Sequence, residues 1–249
     1  QDWCALYRKL TAWEVELAES TDQSIKEVLT YQKSEANQEF CKFVRRNYYN
    51  WINKRSDDTP VMSHTLMRTN IFPVVDENPK TTLLLIDNFR YDQWRSISSL
   101  LRGWYDVAQD DFYCAILPTA TQYARNAVFA GLMPLAIDRL MPNKWLNDNE
   151  EGGKNQYEEE FLKRLMSQNG KNWKCSFDKL VRPEQGRKLV DNIQKVYDAD
   201  FSVIVYNFLD ILSHARTETD IIRELTEDDA AFRSLTRSWF EHSDLYTIL

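Results

Sequence analysis

The N-terminal part of the chain has the hydrophobic pattern of two helices. Between residues 2 and about 55, apolar side chains recur every three or four positions, which is the spacing of one helix face. The first apolar stripe consists of Trp3, Leu6, Leu10, Trp13 and Leu17. Ser20 and Gln23 have the spacing of a capping box, and Asp57-Asp58-Thr59-Pro60 predicts the end of the second helix. The pattern predicts an antiparallel hairpin or part of a small bundle.

From Thr81 onward, apolar runs alternate with helical patterns. The predicted strands are 81–87, 111–117, 173–177 and 201–207. The predicted helices are 92–103, 121–130, 156–168, 184–196 and 218–240. Asp92 is the predicted N-cap of the first of these helices. This alternation predicts an α/β sandwich with a mostly parallel sheet.

Three shorter segments interrupt the pattern. Residues 61–80, which include Pro73, are predicted to be irregular and to form the boundary before the α/β part. Pro134 and Pro142 bracket a predicted short helix. The acidic, glycine-containing segment 148–153 is predicted to be an exposed loop.

Composition limits the class of protein. The chain has 249 residues and a net charge of −7, which is enough length for one or two domains with a sizeable core. No apolar run approaches the ~20 residues that cross a bilayer. The acidic balance argues against a general electrostatic surface for DNA. We therefore expect neither a membrane nor double-stranded DNA as a partner.

The cysteines indicate the compartment. Cys4, Cys41, Cys114 and Cys175 are widely spaced and form no CxxC motif. This spacing favours reduced thiols over a disulfide framework and predicts a cytoplasmic protein. Cys114 lies within a predicted strand, where we expect a buried thiol. The chain opens on Gln1 within a helical pattern, and we interpret it as a fragment of a longer protein.

Metal-ligating side chains follow two of the predicted strands. Asp87 ends the run 81–87, and ligands of parallel sheets bind beyond the C-terminal ends of the strands. Asp87 is therefore placed to hold a metal ion, or it caps the next helix. Asp210 and His214, four residues apart beyond the run 201–207, suit a divalent ion such as zinc. Alternatively, Asp210 caps a turn and His214 bonds a backbone carbonyl.

Two threonines stand between a predicted strand and a predicted helix. Thr119 and Thr121 occupy a position that can expose a nucleophile near a helix N-terminus. Threonine is also a common helix cap, so the pattern alone leaves both roles open.

These segments together resemble the alkaline-phosphatase superfamily and, within it, the PglZ domain. The resemblance is carried by Asp87 with the run Asn88-Phe89-Arg90-Tyr91-Asp92-Gln93-Trp94, by Pro118-Thr119-Ala120-Thr121 and by Arg125-Asn126-Ala127. The chain is most similar to the PglZ portion of PorX-like response regulators, which are two-component regulators of the type IX secretion system. The similarity covers roughly the whole chain.

The resemblance implies three segments. Residues 1–58 would be a helical linker or bundle domain, which in this family joins a receiver to the PglZ domain. Residues 59–80 would connect it to the PglZ domain at 81–249, which would have an alkaline-phosphatase-like α/β/α fold. The family completes its metal site with an Asp-His pair and a distal His that His64 and His242 do not match. We therefore expect the PglZ domain to be truncated at its C-terminus and this fragment to be inactive.

The resemblance also implies two divalent metal ions, usually zinc, beside a nucleophile. Asp87 matches the ligand on the first strand, and Asp210 and His214 match the ligand pair of the other ion. Counting ten residues back from the glycine after the next helix indicates Thr121 as the nucleophile, which would also contact metal. Arg125 matches an arginine that would fix the nucleophile or a substrate oxygen. A metal lowers the pKa of a bound hydroxyl, which would activate the threonine.

The predicted function is a metal-dependent phosphodiesterase or phosphatase. Thr119, Arg90 and Asn126 are the further candidates for substrate contact, and a salt bridge with a nearby acid is the alternative for Arg90. The expected partners are a phosphodiester or nucleotide-like small substrate, a receiver domain, a sensor kinase and a second copy of the chain. The alternative function is a non-catalytic signalling module that docks or dimerises through its helical hairpin and aromatic surface.

Overall fold

The structure, a computed structural model, describes residues 2–18, 20–54, 56, 58–147 and 150–249. Two predicted features lie partly outside these residues: Asp57 of the expected helix stop, and positions 148 and 149 of the expected loop. The remainder of that loop, 150–153, is exposed as predicted.

The N-terminal part forms the predicted pair of helices, α1 (Trp3–Glu16) and α2 (Gln23–Asn53). They run antiparallel, since the ring of Trp3 packs on Phe40 with 5.4 Å between centroids. The predicted capping box at Ser20 and Gln23 is wrong. Asp22 is the N-cap instead, because its carboxylate accepts hydrogen bonds from the first free amides of α2.

The segment 61–80, which was predicted to be irregular, is largely helical. A π-helical turn (Met67–Ile71) runs into α3 (Phe72–Glu77). Pro73 lies in the first turn of α3, directly after the π-helical turn. Burial of apolar side chains such as Phe72 against the core holds the segment in place.

The sheet has three parallel strands in the order β1-β3-β2. They are β1 (Thr81–Ile86), β2 (Cys175–Leu180) and β3 (Phe201–Tyr206). The central strand β3 is buried at every position, whereas the edge strand β1 is half-buried or exposed along its length. The predicted strands 81–87 and 201–207 are confirmed to within one residue as β1 and β3. The strand predicted at 173–177 lies a few residues later in the chain, as β2.

The predicted strand at 111–117 is wrong, because that segment pairs with the chain before β1 instead of with the sheet. Cys114 forms a single parallel bridge with Met62. The amide of Ile116 donates to Ser63 Oγ at 3.1 Å, and that of Leu117 donates to Tyr48 Oη at 2.6 Å. Side chains therefore satisfy these two backbone donors, whereas the amide of Cys114 donates to the carbonyl of Val61 at 2.8 Å. The thiol of Cys114 is half-buried. Burial raises the pKa of this thiol, and the nearby Cys4 adds to the shift.

Helices cover both faces of the sheet. After β1 they are α4 (Tyr91–Leu101), α5 (Thr121–Ala130), α6 (Pro134–Leu140), a 3-10 turn (Pro142–Lys144) and α7 (Glu158–Gln168). After β2 they are α8 (Pro183–Asp191), α9 (Gln194–Asp198), α10 (Phe208–Glu218), α11 (Asp220–Leu225), α12 (Asp229–Glu241) and α13 (Asp244–Ile248). The predicted helix 184–196 is split into α8 and α9, and the predicted helix 218–240 into α11 and α12. Helix α10 was not predicted. The short helix expected between Pro134 and Pro142 is confirmed.

Alternate residues of β3 point to two separate cores. Phe201, Val203 and Val205 pack with side chains of α5 and α7 on one face, whereas Ile204 and Tyr206 pack with α4, α8 and α12 on the other. A parallel sheet between two helical layers is an α/β sandwich. The predicted fold class, with its N-terminal helices, is confirmed.

The end of α5 generates a stability prediction. Gly131 has φ +63°, and an added Cβ would lie 2.5 Å from Leu165 Cδ1. Gly170 has φ +66° with nothing within 4 Å of that position. Gly131→Ala should lower the free energy of unfolding by roughly 2–4 kcal/mol, and Gly170→Ala by only about 1 kcal/mol. Urea unfolding of both variants measures this, and equal losses would show that Leu165 moves aside freely.

Candidate functional site

The candidate site lies at the C-terminal ends of β1 and β3. Asp87 directly follows β1, and its amide donates to the carbonyl of Tyr206 at 2.9 Å. Asn207 directly follows β3, and its amide donates to Leu180 at 3.0 Å. Parallel neighbours end at the same edge, so these two polar side chains are brought side by side.

A buried arginine joins the two strand ends. Arg125, on α5, donates from Nη1 to Asp87 Oδ2 at 2.5 Å and to Asn207 Oδ1 at 3.2 Å. Its Nε donates to Glu158 Oε1. The Arg125 side chain is only 6% exposed, so these acids supply the compensation that a buried charge requires.

Three members of this cluster were not predicted as site residues, namely Asn207, Glu158 and Lys179. Glu158 begins α7 and is 1% exposed, and its Oε2 accepts a hydrogen bond from Lys179 Nζ at 2.8 Å. Lys179 lies on β2 but two residues beyond the strand predicted at 173–177, so the predicted pattern gave no signal for it. Glu158 carried no signal either, because it is one of three successive acids, 158–160.

The Asp87 carboxylate is affected by its burial and by the charges around it at this edge. Burial raises the pKa of Asp87 above its ordinary value. Arg125 opposes this shift, whereas the negative charges of Asp210 and Glu158 add to it. Asp210 is therefore close enough to Asp87 for the two charges to repel, although it lies on α10, more than a hundred residues away in sequence.

Asp210 and His214 lie on one face of α10. The His214 Nε2 is 3.8 Å from Asp210 Oδ1, and the imidazole side chain is 69% exposed. Residues four apart are neighbours on a helix, which explains the pairing. Both side chains are accessible to a ligand from solvent.

Thr121 and Arg125 are one turn apart at the start of α5. Thr121 is the first helical residue and is half-buried, whereas Thr119 lies exposed in the preceding loop. Thr121 shares a helix face with Arg125, because four residues separate them. The structure therefore places Thr121, and not Thr119, on the helix face that carries Arg125, the partner of Asp87.

Asn126 ties α5 to the loop before α7. Its Nδ2 donates to the carbonyl of Lys154 at 3.0 Å, and its Oδ1 accepts from Asn155 at 3.0 Å. Asn155 also donates to the carbonyl of Thr121 at 3.2 Å. Both ends of the buried Asn126 amide thus contact protein, and together with Asn155 it fixes the start of α5 against the loop before α7.

Arg90 lies in a second ionic cluster. It donates to both oxygens of Asp92, at 3.0 and 2.8 Å, and to Asp229 Oδ1 at 2.9 Å. The prediction that Asp92 is the N-cap of α4 is wrong. Arg90 occupies the cap position, with Gln93 accepting from its amide at 2.9 Å, because the buried Asp92 carboxylate is held by Arg90 and by Arg233 at 3.0 Å.

The side chains at the strand ends have the right donor types for a divalent ion. Carboxylate oxygens of Asp87 and Asp210 and an imidazole nitrogen of His214 suit zinc. Across the residues that the structure describes, however, no three acidic, histidine or cysteine side chains are grouped as a finished metal site.

The fold and the strand-end cluster define an alkaline-phosphatase-like α/β domain. Residues 66–247 match the family model PglZ, the BREX system PglZ alkaline phosphatase-like domain. This match spans more than half of the chain, and the protein therefore belongs to the PglZ family. Residues 1–52 match the PorX response regulator linker domain. Comparison with curated proteins gave no match.

The two matches confirm the predicted resemblance. They make the chain a phosphoesterase-like domain preceded by a response-regulator linker, and such a linker indicates a receiver domain as a partner. None of the helices in the described parts of the chain is both long and apolar enough to span a membrane.

The second ionic cluster generates a stability prediction. Asp92→Asn should lower the free energy of unfolding by about 3–5 kcal/mol, because it leaves the buried Arg233 without its nearest carboxylate. Asp220→Asn is the control, since that side chain is 94% exposed in its pair with Arg223. Thermal or urea unfolding should separate the two variants clearly. An unchanged free energy of unfolding in Asp92→Asn would show that water already compensates the charge of Arg233.

Proposed function

We propose that this chain is the effector part of a response regulator, and that it hydrolyses a phosphate ester with zinc as its cofactor. The observation that carries the proposal is the Asp87–Arg125 pair at the C-terminal edge of the sheet. Thr121 lies one turn earlier on the same helix face. An acid, a nucleophile and an anion-binding cation are the parts that phosphoryl transfer requires.

Each of these side chains has a distinct role in the proposed reaction. The Thr121 hydroxyl attacks phosphorus and loses its proton, the oxygen of the ester's alcohol leaves and takes up a proton, and the product is a phosphothreonine. Water then hydrolyses this phosphothreonine, which releases the phosphate and restores the hydroxyl. The N-terminus of α5 presents free N–H groups and a positive dipole end to the phosphate. Arg125 contacts a phosphate oxygen through its guanidinium, which can form two parallel hydrogen bonds. Asn126 and Asn155 hold the start of α5 in position.

The proposed zinc ligands are Asp87 and Thr121 for one ion, and Asp210 with His214 for the other. When bound, zinc would lower the pKa of the threonine hydroxyl and offset the negative charge of the phosphate. The family match supports divalent metals in general.

Ion pairs connect the linker helices to the PglZ domain. Lys33 of α2 contacts Glu14 of α1 at 2.7 Å, and Arg233 of α12 lies 3.6 Å from the other oxygen of Glu14. Arg233 also contacts Asp92 of α4 at 3.0 Å. A movement of the linker would therefore disturb charges inside the PglZ domain.

The same chain of ion pairs continues to the helix that carries the second proposed ligand pair. Arg90 joins Asp92 to Asp229, and Arg216 of α10 lies 3.4 Å from Asp229. Burial raises the pKa of Asp229, but the bonds from Arg90 and Arg216 outweigh it and leave the pKa below its ordinary value. This route supports control of the site by a receiver that acts through the linker.

The biological setting of the proposal comes from the response-regulator resemblance. The substrate would be a phosphodiester or a nucleotide-like molecule. A sensor kinase would act on the receiver, in the cytoplasm, and the output would be control of type IX secretion.

A docking module is the second candidate function, and α2 favours it. None of the residues described in this helix of 31 residues is buried. Apolar side chains stay exposed along it, for example Val28 at 57% and Tyr31 and Tyr49 at 69%. A partner protein or a second copy of the chain could cover this surface.

Replacement of the threonines tests the proposed chemistry. Thr121→Val should abolish zinc-dependent hydrolysis of an aryl phosphodiester by the full native protein, because valine has no hydroxyl to attack phosphorus. Thr119→Val is the matched control and should keep hydrolysis near the wild-type rate. Circular dichroism checks that both variants are folded.

Two outcomes would contradict the proposal. Hydrolysis that survives in Thr121→Val but disappears in Thr119→Val would move the nucleophile to Thr119. Absence of hydrolysis in the native protein, together with unchanged partner binding by Thr121→Val, would favour the docking module.

A further inference from the structure

A cavity lined by aromatic rings lies between the linker helices and the PglZ domain. Its volume is about 490 Å³, which is in the range of small-molecule sites. The rings in its walls include those of Trp3, Phe40, Phe43, Trp51, Phe112 and Tyr113. The first four belong to α1 and α2, and the other two belong to the segment between α4 and α5. A ligand in this aromatic cavity would therefore contact both parts of the chain at once.

The rings of the linker helices hold one another in place. The centroid of the Phe43 ring is 5.6 Å from that of Trp3 and 5.5 Å from that of Trp51. The face of an aromatic ring carries partial negative charge, which attracts a cation or the edge of another ring. The wall is thus formed before a ligand arrives, and it suits both an aromatic ring and a positive charge.

One ring of the cavity already binds a cation of the protein itself. The guanidinium carbon of Arg8 lies 4.6 Å from the centroid of the Phe112 ring. Arg8 is also paired with Asp110 at 3.5 Å, so its own charge is compensated.

The charged side chains that line the aromatic cavity are acidic. Asp2 and Asp58 are both exposed and belong to its lining, whereas no lysine or arginine among the described residues does. Carboxylates attract a positively charged ligand and repel an anion such as a phosphate.

A smaller polar cavity of about 210 Å³ adjoins the aromatic one, and Tyr7, Leu10 and Asn37 line both. Carboxylates also outnumber cations among the described residues of the polar cavity, which are Glu14, Asp92 and Asp229 against Lys33 and Arg90. The whole crevice between linker and PglZ domain therefore favours a cation.

We propose that the aromatic cavity binds an aromatic amine, whose ring packs against the wall around Phe43 and whose ammonium group faces Asp2 and Asp58. Binding of such a cation does not depend on the hydrolysis proposed above. Because the ligand contacts α1, α2 and the PglZ domain together, it stabilises the arrangement of the linker on the domain.

Thiol labelling of the native protein tests the site without any substitution. Cys4 and Cys114 line the aromatic cavity, whereas Cys41 is exposed on α2 and is not part of the lining. Tryptamine at ten times its dissociation constant should slow the reaction of N-ethylmaleimide with Cys4 and Cys114 about tenfold. Labelling of Cys41 should be unchanged, and mass spectrometry of peptides resolves the three sites.

A probe of opposite charge is the control for the labelling experiment. Indole-3-propionate has the same ring as tryptamine but a negative charge, and at the same concentration it should protect neither Cys4 nor Cys114. Equal protection by the two probes would overturn the proposal, and so would the absence of protection by tryptamine.

Isothermal titration with tryptamine separates the contribution of charge from that of the rings. Asp58→Asn should weaken binding about threefold, because one carboxylate is lost. Asp220→Asn removes the same charge from an exposed position on α11 and should bind as the wild type does. Phe43→Leu should weaken binding about fivefold, because leucine keeps an apolar wall without an aromatic face. Tyr197→Leu, which removes an exposed ring on α9, is the matched control.

Wild-type affinity in Asp58→Asn or in a folded Phe43→Leu would contradict the proposal. A second copy of the chain is the alternative occupant of the aromatic cavity. Protection of Cys4 and Cys114 that rises with protein concentration in the absence of both probes would assign the cavity to that second copy and would also overturn the proposal.

Discussion

The burial of the Arg125 charge constrains the whole candidate site. A guanidinium that is 6% exposed needs acidic partners, and it takes one from the end of β1 and one from the start of α7. Asp87, Arg125 and Glu158 therefore tie strand, helix and helix together at one edge of the sheet. Lys179 adds a fourth element, β2, to the same cluster. The position of Thr121 follows, because the helix that carries it is held through Arg125.

The sheet explains why such a cluster forms at that edge. The central strand β3 is buried along its whole length, and its alternate side chains divide the interior into two cores. An unpaired charge in either core would carry a large desolvation cost, which favours placing the charged side chains where β1 and β3 end. The linker helices reach this region through α1, whose Glu14 joins the ion pairs around Asp92. Fold, site and linker thus depend on paired charges at their boundaries.

The residue types of the candidate site were predictable, but most of their partners were not. Asp87, Asp210 and His214 follow apolar runs, and that pattern is visible in sequence. Glu158 is one of three adjacent acids, and only burial distinguishes it from its neighbours. Arg90 was expected to contact substrate or an acid, and the structure surrounds it with Asp92 and Asp229. Long-range ion pairs of this kind leave no periodic signal, since the partners are far apart along the chain.

The sequence by itself determined the class of the protein. Helical and strand periodicity predicted the linker hairpin, β1, β3 and the alternation of an α/β sandwich, because these depend on local spacing of apolar side chains. Tertiary structure decided the rest. The run 111–117 has the composition of a strand, yet the amides of Ile116 and Leu117 donate to Ser63 and Tyr48 and not to a strand of the sheet. The segment before β1 contains proline, yet it is helical because Phe72 and its neighbours are buried in the core. Burial and hydrogen-bond partners came from distant parts of the chain, and local pattern carries no record of them.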